Sequence, residues 1–95
     1  MKKVYLAGKI TGLDYDDVVK AFNTAEEGLL DKRYVVVNPI KLVSRGMDWN
    51  KAMRTCIKAM MSCDAIALLP GWSDSRGVSI EYEIAEMLDF EFIYL

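Results

Sequence analysis

The sequence contains no histidine, only two cysteines, only two prolines and no long apolar run. The absence of histidine excludes His-based catalytic pairs and most zinc sites, and Cys56 and Cys63 do not form a CxxC pair. We therefore expect no metal and no disulfide framework, with both cysteines acting as small buried apolar residues. No stretch approaches the roughly 20 apolar residues of a membrane span, so the sequence predicts cytoplasmic residence.

Length and charge limit the organisation and the partners of the protein. Ninety-five residues predict one domain over residues 1–95, near the low end of sizes that bury a core without disulfides or metals. The formal charge of −2 argues against a nucleic-acid polymer as the partner. A small nucleotide is still a possible ligand, because the charges of one local site can outweigh the weak electrostatic field of the whole protein.

Four short segments have the composition of β-strands. They are KVYLAG (3–8), YVVVNP (34–39), AIALLPG (65–71) and FEFIYL (90–95). Three of them are nearly continuous apolar runs, which is typical of parallel strands that are covered on both faces.

The segments between the strands have helical periodicity. Asp14 and Asp48 are expected to cap the first two helices, and the third helix is expected to run from about Val78 to Leu88. The alternation predicts a three-layer α/β fold of the flavodoxin or Rossmann type. Its sheet has four parallel strands in the order 2-1-3-4, with helices on both faces and a ligand site at the carboxyl ends of strands one and three.

One acid of the third helix falls on the side expected to face inward. At about 100° per residue, Ile80, Ile84 and Leu88 form one stripe, flanked by Ala85 and Met87, and Glu81 falls inside this arc. Glu83 and Glu86 fall outside it. We therefore expect Glu81 to face a cleft between the loops GKITG (8–12) and PGWSDSRG (70–77).

Glu81 has two interpretations from its position alone. In the first turn of the helix, the dipole keeps its carboxylate ionised, and such a carboxylate is a nucleophile at a sugar carbon. The alternative is a carboxylate that only stabilises the helix end. Asp64 precedes the third strand and is expected at its amino end, which opposes a catalytic role.

Residues of the neighbouring loops also have both a functional and a structural interpretation. Ser75 and Gly77 form either an anion site or a plain helix cap. Lys9 and Arg76 supply charge to a phosphate or are solvated, and Trp72 covers either a base or the edge of the core.

Several segments resemble a known family. VYLAGKITG, VNP, WNKAMRTCIKAMMSCDAIALLPGW and SRGVSIEYEIA resemble the DUF4406 family within the nucleoside 2-deoxyribosyltransferase-like superfamily. The resemblance implies cleavage or exchange at the N-glycosidic bond of a nucleoside or nucleotide. It makes Glu81 the nucleophile and gives Asp64 proton handling at the base. It also places Ser75 at a 5′-phosphate.

The resemblance and the loop positions together give the candidate site. Its catalytic residues are Glu81 and Asp64. Its substrate-binding residues are Tyr5, Gly8, Lys9, Ile10, Gly71, Trp72, Ser75 and Gly77. The sequence departs from the family at Lys9, where proline is usual, and at Cys56, where related sequences often have aspartate.

The leading hypothesis is a retaining glycosyl transfer through Glu81, with no cofactor and no metal. The second is a nucleotide-binding or regulatory module of the same fold without chemistry, and the third is a structural domain that assembles through apolar surface. A small chain with this much apolar surface is expected to form a homodimer or larger oligomer.

Overall fold

The computed structural model describes all residues 1–95. Its strands are β1 (Lys3–Ala7), β2 (Val35–Val37), β3 (Ala65–Leu68) and β4 (Glu91–Tyr94). Its helices are α1 (Tyr15–Asp31), α2 (Trp49–Met60) and α3 (Arg76–Met87), with short 3-10 turns at Pro39–Lys41 and Trp72–Asp74. None of the helices is long and apolar enough to cross a membrane.

The strands form one sheet in the order β2-β1-β3-β4, and every neighbouring pair is parallel. In the centre of the register, Tyr5 of β1 lies between Val37 of β2 and Ile66 of β3. The predicted fold class, strand order and parallel pairing are therefore confirmed. The order changes direction between β1 and β3, so their carboxyl ends open a crevice between the connecting loops.

Alternation along the central strands divides the core into two layers. Val4 and Leu6 of β1 pack with Phe22 and the rest of the inner face of α1. Tyr5 and Ala7 point to the opposite face and pack with α2 and α3. One face of the sheet is thus covered by α1 alone, and the other is covered by two helices.

Side-chain caps begin all three helices. Asp14 accepts a hydrogen bond from the Asp17 N–H at 3.2 Å, and Asp48 accepts one from the Lys51 N–H at 3.1 Å. Both caps confirm the sequence prediction. Ser75 caps α3 by accepting from the Val78 N–H at 3.2 Å. Because of this cap, α3 begins at Arg76, earlier than predicted.

The buried stripe of α3 differs from the predicted one. Its fully buried residues are Val78, Glu81 and Ala85, whereas Leu88 is 57% exposed and Met87 is 76% exposed. The predicted stripe was wrong at its C-terminal end because α3 stops at Met87 and the chain turns through Asp89, whose φ is 59°, into β4. Glu81 nevertheless lies on the inner face, as predicted.

A buried polar cluster fixes the chain where β2 ends. The Asn38 side chain, which is buried, accepts a hydrogen bond from the Ile40 N–H at 3.1 Å and donates to Glu26 of α1 at 3.0 Å. Glu26 also pairs with Lys41 at 2.8 Å. Since these bonds satisfy the buried amide, they hold the segment after β2 against α1 and position it as one wall of the crevice.

Candidate active site

A cavity of about 660 Å³ opens at the carboxyl ends of β1 and β3. Its walls come from the loop after β1, the segment between β2 and α2, and the first turns of α2 and α3. This volume lies within the range of pockets that enclose small organic ligands. The cavity is therefore the place where the fold is expected to bind a ligand.

Glu81 lies at the cavity and is buried to 5% exposure. It occupies the second turn of α3, so the prediction that it lies in the first turn was wrong. The helix dipole acts mainly within the first turn and therefore contributes less to Glu81 than the sequence argument assumed. Burial, not the helix end, determines the chemistry of this carboxyl group.

Tyr5 holds one oxygen of the Glu81 carboxyl group. The Tyr5 hydroxyl donates a hydrogen bond of 2.5 Å to Oε2 of Glu81. Oε1 makes no hydrogen bond to the protein, and no side-chain oxygen or nitrogen that is sealed from solvent lacks a partner. Oε1 is therefore accessible to solvent, and the Glu81 side chain lines the cavity.

Burial raises the pKa of Glu81 to about 7, and the hydrogen bond from Tyr5 acts against this rise. Burial and the nearby Glu81 charge raise the pKa of Tyr5, so its hydroxyl stays protonated and remains a donor. The prediction of a carboxylate kept ionised by the helix is thus corrected. Near neutral pH, Glu81 exists in both the ionised and the protonated form.

Cys56 of α2 also lines the cavity, close to Tyr5 and Glu81. Both cysteines are free and buried, as predicted. Burial and the Glu81 charge raise the pKa of the Cys56 thiol, which therefore stays neutral. The thiol adds no second charge beside Glu81.

Positive charge lines the rim of the cavity. Lys9, Arg45 and Arg76 all line it. The guanidinium of Arg45 lies 5.0 Å from the ring centre of Tyr15, and that of Arg76 lies 4.5 Å from the ring centre of Trp49. Stacking on these rings holds both guanidiniums in place, which favours binding of an anionic group at the rim.

The first turn of α3 forms one wall of the cavity and packs closely against α2. At Gly77 a Cβ atom would lie 3.0 Å from the Met53 sulfur, so glycine lets α3 approach α2. Ser75, which caps α3, also lines the cavity. The free N–H groups of this first turn add to the positive field at the rim.

The structure brings together most of the predicted site. The residues that line the cavity are Tyr5, Gly8, Lys9, Ile10, Ser75, Gly77 and Glu81. Gly8 is required by packing, because a Cβ there would lie 3.0 Å from the Phe22 ring and 3.1 Å from the Leu69 Cβ.

Three predicted residues lie outside the cavity. Asp64 is exposed at the amino end of β3, and its Oδ2 accepts from the Lys3 N–H at 3.1 Å. The length of the strand separates it from the carboxyl edge where Glu81 lies. Trp72 stacks on Tyr82 with ring centres 4.9 Å apart, and Gly71 forms a left-handed turn with φ of 85°.

The sequence argument missed several residues that line the cavity. They are Tyr15, Arg45, Trp49, Cys56 and Asp74. Arg45 had a usable signal, since it follows the carboxyl end of β2 at the same edge of the sheet. Tyr15 and Trp49 begin α1 and α2, and their roles depend on contacts with arginines far away in the chain, for which a single sequence has no local pattern.

The fold and the site define a doubly wound α/β protein with a ligand-sized cavity at its switch point. The family model described as "Domain of unknown function (DUF4406)" matches residues 2–94. The protein therefore belongs to the DUF4406 family, as the sequence motifs predicted. Comparison with curated proteins found no match.

Glu81→Gln should change how stability depends on pH. The folded pKa of about 7 lies above the ordinary value of 4.5, so the folded state binds the proton more tightly and stability falls as pH rises between these values. Relative to Glu81→Gln, the wild type should lose about 1–3 kcal/mol between pH 5 and pH 8. Urea unfolding at both pH values measures the difference.

The matched control is Glu83→Gln, because Glu83 lies on the same helix and is exposed. It should keep the wild-type pH dependence. Equal pH dependence in the wild type and in Glu81→Gln would contradict a raised Glu81 pKa.

Proposed function

We propose that the protein belongs to the nucleoside 2-deoxyribosyltransferase-like superfamily and cleaves or exchanges the N-glycosidic bond of a nucleoside or nucleoside 5′-monophosphate. Glu81 is the proposed nucleophile. The observation that supports this role is the asymmetry of its carboxyl group. Tyr5 fixes Oε2 at 2.5 Å, while Oε1 has no protein partner and opens to the cavity.

In the proposed reaction, Oε1 of ionised Glu81 attacks the anomeric carbon as the bond from that carbon to the base nitrogen breaks. The bonding electron pair leaves with the base, and the sugar becomes an ester of Glu81. Water or a second base then attacks the same carbon and releases the carboxylate. Two displacements retain the configuration, and neither step requires a cofactor.

Asp74 is the proposed proton donor to the leaving base. Glu81 and Asp74 are the two carboxyl residues that line the cavity, whereas Asp64 lies at the other end of β3. In hydrolysis, the proton that Asp74 gives to the base nitrogen returns from the water that attacks the sugar. Proton transfer thus balances over one turnover.

The cationic rim supports a 5′-monophosphate as the preferred form of the substrate. Lys9, Arg45 and Arg76 outnumber the single rim acid, Asp74. Arg side chains that are already held in place lose less entropy when they bind a phosphate. A nucleoside without a phosphate makes no ion pair with these three side chains, so we expect it to bind more weakly.

A non-catalytic nucleotide-binding module is the second candidate function. The neutral Cys56 thiol beside Glu81 favours it, because no second acid lies at the cavity floor to assist proton transfer. Such a module would bind nucleotides in the same cavity and release no base.

Base release should require the Glu81 carboxylate. With a panel of nucleosides and 5′-monophosphates analysed by chromatography, the wild type should release base, and Glu81→Gln should be slower by about 10³-fold or more. Glu83→Gln should match the wild type. Binding by Glu81→Gln, followed as a thermal shift, should persist because the amide keeps the shape of the carboxyl group.

Nucleotide binding by the wild type without base release would instead support the binding module. Base release by folded Glu81→Gln at the wild-type rate would overturn the role of Glu81.

Asp74→Asn and Asp64→Asn should separate the two candidate proton donors. Asp74→Asn removes the proposed proton donor and should lower kcat by about 10²-fold, since general acid catalysis typically contributes at least that much. Asp64→Asn should leave kcat unchanged. The reverse pattern, with Asp64→Asn impaired and Asp74→Asn active, would show that the proton reaches the base by a route that this cavity does not contain.

A further inference from the structure

The fourth strand leaves one edge of the sheet open. β4 pairs with β3 alone, in an unbroken parallel register from Glu91 to Tyr94. The N–H group of Leu95 donates to the Leu68 carbonyl oxygen of β3 at 3.0 Å. Because the hydrogen bonds of a strand alternate between its two edges, the N–H groups of Phe92 and Tyr94 point away from β3. They face the open edge, where another strand can pair.

β4 lacks the features that usually protect an edge strand. Residues 91–95 contain no proline, no lysine and no bulge. Their one charged residue, Glu91, lies at the start of the strand and pairs with Lys2. The strand at the opposite edge, β2, is only three residues long and is followed by Asn38, which binds α1, and by Pro39. The edge of β4 is therefore the one better suited to pairing.

Four aromatic side chains form a continuous surface beside the open edge. Trp72 stacks on Tyr82 with ring centres 4.9 Å apart, and the Tyr82 ring lies 5.0 Å from that of Phe92. Tyr94, which is 62% exposed, lies 6.4 Å from both Trp72 and Phe92. The other three rings are partly buried. We call the open edge of β4 together with these four rings the edge surface.

The edge surface lies in an acidic part of the chain. Residues 77–95 contain five acids and no lysine or arginine, and all of these acids except Glu81 are exposed. Interaction with the Tyr94 hydroxyl raises the pKa of Tyr82, and the charge of Glu86 adds to the rise, so Glu86 lies close to the rings. Ring faces with a carboxylate beside them are suited to a cationic side chain.

We propose that the edge surface binds an extended, basic segment of a partner protein as an additional β-strand. The backbone of this segment pairs with Phe92 and Tyr94, and its alternate side chains lie on the rings. Lysine or arginine at those positions contacts the ring faces and the Glu86 carboxylate. The cavity is not lined by any residue of the edge surface, so this site is independent of the proposed reaction.

The charges of the edge surface disfavour other occupants. A second copy bound through the same surface would bring two acidic surfaces together with no base in residues 77–95 to neutralise them. Nucleic acids and anionic membranes are repelled for the same reason. A basic segment is in turn repelled by the cavity, whose rim carries Lys9, Arg45 and Arg76.

A strand-length peptide tests the charge preference. A fluorescent peptide of alternating lysine and valine should bind the wild type at low salt with a Kd of about 100 µM or lower, measured by anisotropy. The same peptide with glutamate in place of lysine should bind at least about tenfold more weakly.

Glu86→Lys tests the carboxylate beside the rings. It should weaken binding of the lysine–valine peptide by about tenfold or more, because it places a base where the peptide brings one. The matched control is Glu27→Lys, which changes the net charge equally at an exposed position of α1, the helix on the other face of the sheet. It should stay within about threefold of the wild type.

Hydrogen exchange tests the backbone pairing. When about 90% of the protein is bound, exchange at the amides of Phe92 and Tyr94 should slow by about tenfold, whereas Ile93, whose N–H faces β3, should change less. Tyr94→Pro should abolish peptide binding, because it removes an outward N–H group and a ring. Proline is tolerated on an edge strand at such a position, so circular dichroism should show a folded protein. Tyr94→Phe should keep binding.

Four results would overturn the proposal. They are no binding of the lysine–valine peptide at about 1 mM, equal binding of the glutamate peptide, equal effects of Glu86→Lys and Glu27→Lys, and unchanged exchange at Phe92 and Tyr94 with the peptide bound. A wild type that self-associates and that Tyr94→Pro makes monomeric would also overturn it, because the edge would then belong to a second copy.

Discussion

The hydrogen bond between Tyr5 and Glu81 is the contact on which the site depends. Tyr5 belongs to β1, which lies inside the sheet, and Glu81 lies on the inner face of α3. A carboxyl group this buried is costly to ionise unless a donor compensates it. Tyr5 supplies that donor, and the contact joins α3 to β1 at the edge where the cavity opens. The position of α3, the shape of the cavity and the protonation of Glu81 are thereby linked.

The carboxyl group at position 81 lowers the stability of the protein when it is ionised. Val78 and Ala85, the buried neighbours of Glu81 on α3, are apolar, and an apolar residue at position 81 would extend the same packing. The carboxyl group there makes the ionised protein less stable above about pH 7 than the protonated protein below it. Such a cost is typical of functional positions. The stacked Arg45 and Arg76 at the rim fit the same interpretation, because they place fixed positive charge around a cavity that contains the only buried acid.

Local sequence patterns predicted the fold well because strands, caps and alternation are local properties. Asp14 and Asp48 cap helices as expected, and the four-strand parallel order followed from the β-α alternation. The inward position of Glu81 was also predicted, although the stripe used to argue it extended too far along α3. The pKa of Glu81 was missed because it depends on burial and on Tyr5, which lies far away in the chain. The stacking of Arg45 was missed for a similar reason, since it joins the loop before α2 to Tyr15 at the start of α1.

The most direct test of the account is intact-mass and peptide mass spectrometry after incubation with a nucleoside 5′-monophosphate whose 2-fluoro sugar slows breakdown of the ester. The account predicts a covalent sugar adduct on the peptide that contains Glu81, formed faster at pH 8 than at pH 5 because Glu81 ionises near pH 7. The Glu81→Gln variant should form none. Base release from the natural nucleotide together with an adduct on another residue, or with an equal adduct in Glu81→Gln, would contradict it.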